Sequence, residues 1–410
     1  MNSPVRRTRS GAARHDAIVS AAGQLFAQKG YWSISLRQVA REAGISMQGL
    51  LRYFPSKEDL LTAVLDSLRE KRAETGGPII ADTMASLDVF ADLAERNQQL
   101  EGYSEVYSVL LGEASNPDHP AHLRFVERTR RVQDVITNHF LSAVDRGELP
   151  QGIDVVGEAR RFQAAWDGLQ LHSLYSPDVN VPAMLRRRLE QIAGRIPSGF
   201  GSSLLNIAPA APSRVPELDK DGYSAGRQTR DCLLSAAVDL FSNEGYHNTS
   251  LADISRRAGI AKSTVFHHFA TKEHLLIAVI NRWRHFLDDA RNSEIETDSI
   301  WEHLVKTATY ELSSARMLRL YVVLASEARP ADHPAHDYID ERLQRSRSDF
   351  ALAAGGLGIS DPATEGVWLA ALLDGLRINW LYDSTSVDVA SDMEAHLGGL
   401  PKTALHDSGS

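Results

Sequence analysis

Apolar positions along the chain recur at helical rather than alternating spacing. Leu36, Val39, Ala40 and Ala43 stand at i, i+3, i+4 and i+7, one stripe on a short helix entered from Ser35, a residue type suited to an N-cap. Gly44 ends that helix, because glycine accepts the positive φ of a sharp turn, and Ile45 is expected to drop into the angle between two helices. Ser46 then caps a helix over 47–53, from which Leu50, with Phe54 after it, faces inward while Met47, Gln48 and Arg52 project. Leu251, Ile254, Ser255 and Ala258, then Gly259 and Ile260, then a helix over 262–268, repeat the arrangement. Two short helices joined by a glycine-containing turn form the unit that lays its second helix in the DNA major groove. Longer apolar helices are predicted over about 154–175, 181–196, 361–382 and 387–397, with turn-forming residues breaking the pattern at 116–120, 147–152, 176–181, 329–334, 355–362 and 383–387. No convincing alternating run is present, and the predicted fold class is all-α.

The chain also matches itself. At an offset of 215, Ala22, Leu25, Phe26, Gly30, Tyr31, Ser35, Leu36, Arg41, Ala43, Gly44, Ile45, Phe54, Lys57, Glu58, Leu60 and Leu61 recur as Ala237, Leu240, Phe241, Gly245, Tyr246, Ser250, Leu251, Arg256, Ala258, Gly259, Ile260, Phe269, Lys272, Glu273, Leu275 and Leu276. Tyr107 and the run Asp118 to His122 return as Tyr321 and Asp332 to His336, and Asp167-Gly168-Leu169 returns as Asp374-Gly375-Leu376. Echoes that keep their order mean that each half is a whole two-part protein, not a copied motif. The expected division is a helix-turn-helix domain over 1–56, a helical body over 57–196, a linker over 197–226, a second helix-turn-helix domain over 227–271, a second body over 272–398 and a flexible tail over 399–410. The linker is rich in Pro, Gly, Ser and Ala, and a coil of that length can span tens of ångströms, enough to join the end of one body to the start of the second helix-turn-helix domain.

Composition changes the picture in one respect. A net charge of −9 argues against a polyanionic partner until its distribution is examined. Residues 1–72 hold twelve Lys or Arg against six Asp or Glu, residues 220–284 hold nine against six, and the remainder carries −18. Basic modules on acidic bodies suit double-stranded DNA, since the field at the contact face steers association. No apolar run approaches a membrane span and no secretory leader follows the N-terminal arginines, so a cytoplasmic location is expected. Cys232, the only cysteine, is expected to be a small buried apolar residue.

The signature of Ala21, Ala22, Phe26, Gly30 and Tyr31, then the helix-turn-helix, then Tyr53, Phe54 and the capped run Ser56 to Leu61, resembles the N-terminal domain of the TetR family of bacterial regulators. Ala236, Ala237, Phe241, Gly245, Tyr246, His268, Phe269 and Thr271 to Leu276 repeat it. The resemblance covers 14–66 and 230–281, and the Asp-His-Pro-Ala-His and Asp-Gly-Leu segments are similar to features of the family's regulatory domains. It implies an all-helical dimer, here fused as two tandem TetR-like units, whose C-terminal domains hold a small ligand that shifts the spacing of the recognition helices. Both repeats depart from the family where a tyrosine is usual: Leu51 and Phe266 lack its hydroxyl, a loss on the order of 1 kcal/mol per half-site.

The expected DNA-facing set is Ser35, Arg37, Ser46, Met47, Gln48, Gly49, Arg52, Tyr53 and Lys57 in one head, with Ser250, Ala261, Lys262, Ser263, Thr264, His267, His268 and Lys272 in the other. Gln48 suits adenine and Arg52 suits guanine or phosphate, while Lys57 and Lys272 could meet phosphate at a helix start. Because the heads differ, an operator with unequal half-sites follows. Asp167, Gly168, Leu169, Asp374, Gly375 and Leu376 are expected at an intramolecular pseudo-dimer interface, the glycines allowing close helix approach. Tyr103, Tyr107, Phe125, Trp166, Trp301, Tyr310, Tyr321 and Trp368 are candidate lining for an effector pocket. His119, His122, His333 and His336 are read as packing or capping residues, with no metal or cofactor expected, because each pair spans a Pro-containing helix entry and no carboxylate or cysteine completes a zinc set nearby. The function expected is a ligand-responsive, DNA-binding repressor; a ligand-binding or interaction module with degenerate readers is the alternative, and no nucleophile–base pair or phosphate loop points to an enzyme.

Overall fold

The computed structural model describes residues 9–76, 87–195, 224–292 and 299–398, so the predicted linker, but for its last residues, and the tail at 399–410 lie outside the described residues. The described elements are helices. In the first half these are α1 (Arg9–Lys29), α2 (Leu36–Glu42), α3 (Met47–Leu51), α4 (Lys57–Gly76), α5 (Val89–Gln99), α6 (Tyr103–Glu113), α7 (His122–Asp145), α8 (Val155–Ser173) and α9 (Val181–Ile192). The second half repeats the series as α10 (Ser224–Asn248), α11 (Leu251–Ala258), α12 (Lys262–His268), α13 (Lys272–Asn292), α14 (Ile300–Leu312), α15 (Ala315–Glu327), α16 (His336–Gly356), α17 (Pro362–Tyr382) and α18 (Val389–Gly398). The break before α8 is set by Asp154, whose carboxylate caps Gly157 N–H, and that before α17 by Asp361 with Pro362 in the first turn. None of the described helices is long and apolar enough to cross a membrane.

The halves meet most extensively where α8 crosses α17. Both helices are buried nearly all round. A Cβ on Gly168 would stand 1.8 Å from the Ala371 carbonyl oxygen, and one on Gly375 would stand 1.7 Å from that of Ala164. Only glycine permits so close an approach of two backbones. The contacts are reciprocal elsewhere too. Tyr175 donates to the Ala325 carbonyl and Tyr382 to that of Leu111, each at 2.7 Å, and each tyrosine stacks on the opposite half's histidine, His336 or His122. Along the crossing, Arg347 donates to His172 Nδ1 and His172 Nε2–H donates to Asp374. Despite burial, His172 and Arg377 hold the Asp374 carboxyl well below the usual carboxylate range.

Apolar packing does not divide as the repeat does. One cluster joins both helix-turn-helix heads through α6 and α15; the other joins the two bodies through α8 and α17. Each cluster therefore runs from one half into the other. Two expectations are corrected by burial. Cys232 is exposed on α10 rather than buried, and Tyr310 is exposed, lying against Phe286 and bordering none of the larger clefts. Trp166, Trp301 and Trp368 pack in the second cluster and do not border the larger clefts.

A buried carboxylate ties each head to its body. Glu113, at the end of α6, accepts the N–H of Tyr31 at 2.7 Å and of Trp32 at 3.4 Å; Glu327, at the end of α15, accepts those of Tyr246 at 2.9 Å and His247 at 3.1 Å. The preceding glycines explain the Gly-Tyr pairs. Gly30 and Gly245 adopt φ of 77° and 75°, and a Cβ on Gly30 would fall 2.3 Å from Glu113 Oε1. Across the halves, Ser33 Oγ donates to Glu327 Oε1 at 3.1 Å and Asn116 to the Asn243 carbonyl at 2.8 Å. Lys57 lies over the Tyr31 ring, 4.1 Å from its centroid, and donates to the Trp32 carbonyl.

Two outcomes are expected. Gly168→Leu, which drives a side chain into the Ala371 backbone, should destabilise the fold by about 3 kcal/mol in urea unfolding, whereas Gly356→Ala, which meets open space, should cost nothing measurable. Burial, opposed by the Tyr31 N–H and reinforced by Glu327, pushes the Glu113 carboxyl up to about 8, and burial, opposed by Glu113, lowers Lys57 to about 8. A raised carboxyl stabilises most below its unfolded value, near 4.5, and loses that contribution as pH climbs through about 8; the lowered Lys57 restores part of it above that pH. Thermal scans should show Tm falling between about pH 5 and about pH 8, and Glu113→Gln, which keeps an acceptor but does not titrate, should flatten that fall.

Candidate nucleic-acid interface

Each head builds its reader from local signals. Ser35 Oγ accepts the Gln38 N–H while the Gln38 side chain accepts from Ser35, a capping box at the start of α2. Gly44 turns with φ 64°, Ile45 N–H closes on the Ala40 carbonyl at 2.9 Å, and Ser46 caps Gly49 N–H to start α3. In the second head Ser250 and Asp253 form the capping box, and Gly259 turns with φ 66°. Ala261 precedes α12 there without a side-chain cap bond. Leu50, Phe54, Val265 and Phe269 are buried, which fixes the outward face of each reader helix.

That outward face contains most of the expected residues. Ser35, Arg37, Ser46, Gln48 and Arg52 are exposed in the first head, with Met47, Gly49 and Tyr53 partly so. Ser250, Ala261, Lys262, Ser263 and His267 are exposed in the second, with Thr264 and His268 partly so. Burial, with His267 and Arg230 adding to it, lowers the His268 pKa and favours its neutral form. Lys57 and Lys272 differ from expectation. Their ammonium groups turn inward, Lys57 to the Trp32 carbonyl at 3.3 Å and Lys272 to the Tyr246 and His247 carbonyls at 2.9 and 3.2 Å, because each spans the head–body junction beside a buried glutamate.

Two features escaped the sequence reading. Leu51 and Phe266, noted only for a missing hydroxyl, are 40% and 47% exposed and present apolar surface on the reader helices. Exposed apolar side chains in that position can meet thymine methyl groups. Glu113 and Glu327 went unremarked although they recur at the offset of the Asp-His-Pro-Ala-His echo. The heads also differ in charge. Arg256 and Arg257 pair with Asp253 and Asp239, each at 3.1 Å, whereas Arg37, Arg41 and Arg52 form no ion pair among the described residues.

The four histidines are absorbed by the junctions. His122 and His336 bond through Nδ1 to the Ala114 and Ala328 carbonyls, and His119 and His333 accept from Ala121 and Ala335 N–H through Nδ1. A carboxylate does stand near, contrary to expectation: His247, Glu327 and His333 bring ligand-type atoms within 4.8 Å of one another. Their chemistry suits the junction better than a cation. Glu327 already accepts three hydrogen bonds, Lys272 lies beside it, and the bond to His333 Nδ1 leaves the neutral ring's proton on Nε2.

Comparison with known proteins places these heads. The sequence model of the tetR family of bacterial regulatory proteins matches residues 18–64 and 233–279, one stretch in each head. The chain is 48% identical over 60 residues to the HTH-type transcriptional regulator RutR of Escherichia coli strain K12, a match spanning 15% of this chain and 28% of that protein. It is 27% identical over 187 residues to the HTH-type transcriptional regulator TtgR of Pseudomonas putida, covering 41% of this chain and 87% of that protein. Among solved structures, NalD, the secondary repressor of the MexAB-OprM multidrug efflux pump in Pseudomonas aeruginosa, is similar at 22% identity over 44% of this chain and all of that one, with a TM-score of 0.35. A likeness of that size carries no argument by itself. The two matches fall on the two helix-turn-helix heads, each of which is similar to the N-terminal domain of the tetR family, and the chain is a tandem of two TetR-like units.

Proposed function

We propose that this chain is a DNA-binding transcription regulator that sets its two heads on one duplex as an intramolecular pseudo-dimer and reads an operator with unequal half-sites. The observation that carries this reading is the pair of structurally matched but chemically different reader faces joined through one continuous apolar cluster. A homodimer repeats one face twice; a fused pair is free to diverge. Gln48 has the amide that pairs with adenine, and Arg52 has the fork suited to guanine or a phosphate oxygen. Lys262, Ser263, Thr264 and His267 give the second reader a different donor and acceptor set, and Leu51 and Phe266 add apolar contact. Position on the duplex then comes from the helix starts at Ser35, Ser46 and Ser250 and from Arg37, with Lys57 and Lys272 holding head to body rather than touching phosphate.

A small molecule bound in a helical body would act on the readers through the same junctions. Helices α4 and α13 begin at Lys57 and Lys272, directly after the reader helices, and continue into the bodies. Movement of either helix changes the separation of the heads, and a lost match to the operator releases DNA, the behaviour of a repressor that responds to an effector. Such a regulator works in the cytoplasm on chromosomal DNA.

Selection of bound sequences from random duplexes with the purified chain should enrich an asymmetric site. Gln48→Ala should then weaken binding about tenfold while leaving footprint protection of the other half-site intact, since a good side-chain–base pair contributes about 1–3 kcal/mol. Equal binding to both halves of a perfect palindrome would sink the unequal-site reading, and failure to enrich any sequence would sink the regulator reading itself.

A further inference from the structure

The two halves treat one arginine differently. Arg342 on α16 lies over the Tyr321 ring, 4.3 Å from its centroid, and its counterpart Arg128 on α7 lies over Tyr107 at 5.2 Å. In the second half the chain itself supplies the anion. Glu311 from α14 accepts from Arg342 at 2.9 Å and pairs closely with Arg377, which bonds Asp374 at 2.8 Å. The Glu311 carboxylate is buried between the two guanidinium groups, and the space left beside them is about 120 Å³.

Among the described residues of the first half, none plays the part of Glu311. Gln170 holds the register position of Arg377, and the buried face of α5 carries Val89, Phe90, Ala91, Ala94 and Asn97 without an acid. Among the described residues Arg128 meets one carboxylate, Asp167, at 3.8 Å, and its Nη1 is buried without a hydrogen-bond partner, as is Asp167 Oδ2. An unmet buried donor on a cation costs free energy until an acceptor reaches it. Beside Arg128 lies a cleft of about 380 Å³, large enough for a small ligand. Leu65, Tyr107 and Phe125 form its apolar wall. Four arginines, including the exposed Arg69, outnumber its two acids, and those acids, Asp66 and Glu127, already pair with Arg124 and Arg131.

We infer that this cleft binds a small organic carboxylate, its head on Arg128 in the place Glu311 takes beside Arg342 and its apolar body against Leu65, Tyr107 and Phe125. The chain has one such site, because Glu311 is the built-in occupant of the other. The inference rests on the effector-responsive reading above and names the effector's chemical class and the half that receives it. Leu65 and Arg69 lie on α4, the helix that follows the first reader, so occupancy bears on the first head and not equally on both.

Calorimetry on the full chain without DNA tests the site independently of DNA binding, using octanoate and benzoate as probes and octan-1-ol as the neutral control. The expected result is saturable binding of at least one carboxylate at one per chain, with the alcohol about tenfold or more weaker. Arg128→Met should abolish the binding, and Arg69→Glu, an exposed rim change that spares the core, should weaken it several-fold even where Arg128→Met misfolds. Two carboxylates per chain, equal binding of the alcohol, indifference to Arg69→Glu, or no saturation by either probe up to about 10 mM each overturns the inference. DNA selection can succeed while calorimetry fails, or the reverse, so the two readings fall separately.

Discussion

The close crossing of α8 and α17 is the constraint from which the rest of the molecule follows. At Gly168 and Gly375 each backbone lies against a carbonyl of the other helix, an approach that any side chain would forbid. Contact at that distance leaves no room for water; Asp167 Oδ2 is left without a partner, whereas other polar groups beside the crossing satisfy one another. His172, Asp374, Arg347, Arg377 and Tyr321 do so in a chain of direct hydrogen bonds and ion pairs that crosses from one half to the other. Such a buried network specifies register more than it adds stability, because partial satisfaction would cost more than an apolar contact.

With that register set, Tyr382 ties the end of α17 to α6 and Tyr175 ties the end of α8 to α15, and the ends of α6 and α15 place Glu113 and Glu327 beneath the two heads. A carboxyl group that accepts consecutive peptide N–H groups is a stiff joint, since losing either bond would strand buried polar groups. The Gly-Tyr pair that opens each head is therefore a product of the joint: the positive φ of Gly30 and Gly245 turns the following N–H groups toward the glutamate, and the ring of Tyr31 or Tyr246 receives the lysine above it. Reader position is coupled to the bodies through hydrogen bonds as well as through α4 and α13.

Fusion removes the requirement that both halves stay alike, and the structure displays the divergence at matched positions. Ser46 caps one reader while Ala261 leaves the other uncapped; free arginines flank one head while paired arginines flank the other. Trp32 and His247 occupy the same turn, and Arg128 and Arg342 the same shelf, with different neighbours. What is shared is the scaffold of glycines, caps and clamps.

Fold class, the two heads and the close approach at the Asp-Gly-Leu segments were legible in the sequence, because each is written in short-range terms. Helical periodicity, a capping serine three residues before its N–H partner, and a glycine at a turn act within one or two helical turns. The direction of the Lys57 and Lys272 side chains was not legible, since a lysine at a helix start faces solvent unless a buried acid far along the chain draws it in. That acid is Glu113 for Lys57, and only packing brings it there. Likewise the sequence suggested two self-contained halves, yet both apolar clusters run across them, and Glu311 meets Arg342 and Arg377 while, among the described residues, Arg128 meets only Asp167, at 3.8 Å. Local pattern determines which helices and turns form; long-range burial decides which charges meet, because the cost of leaving a charge unpaired arises only once the tertiary structure excludes water.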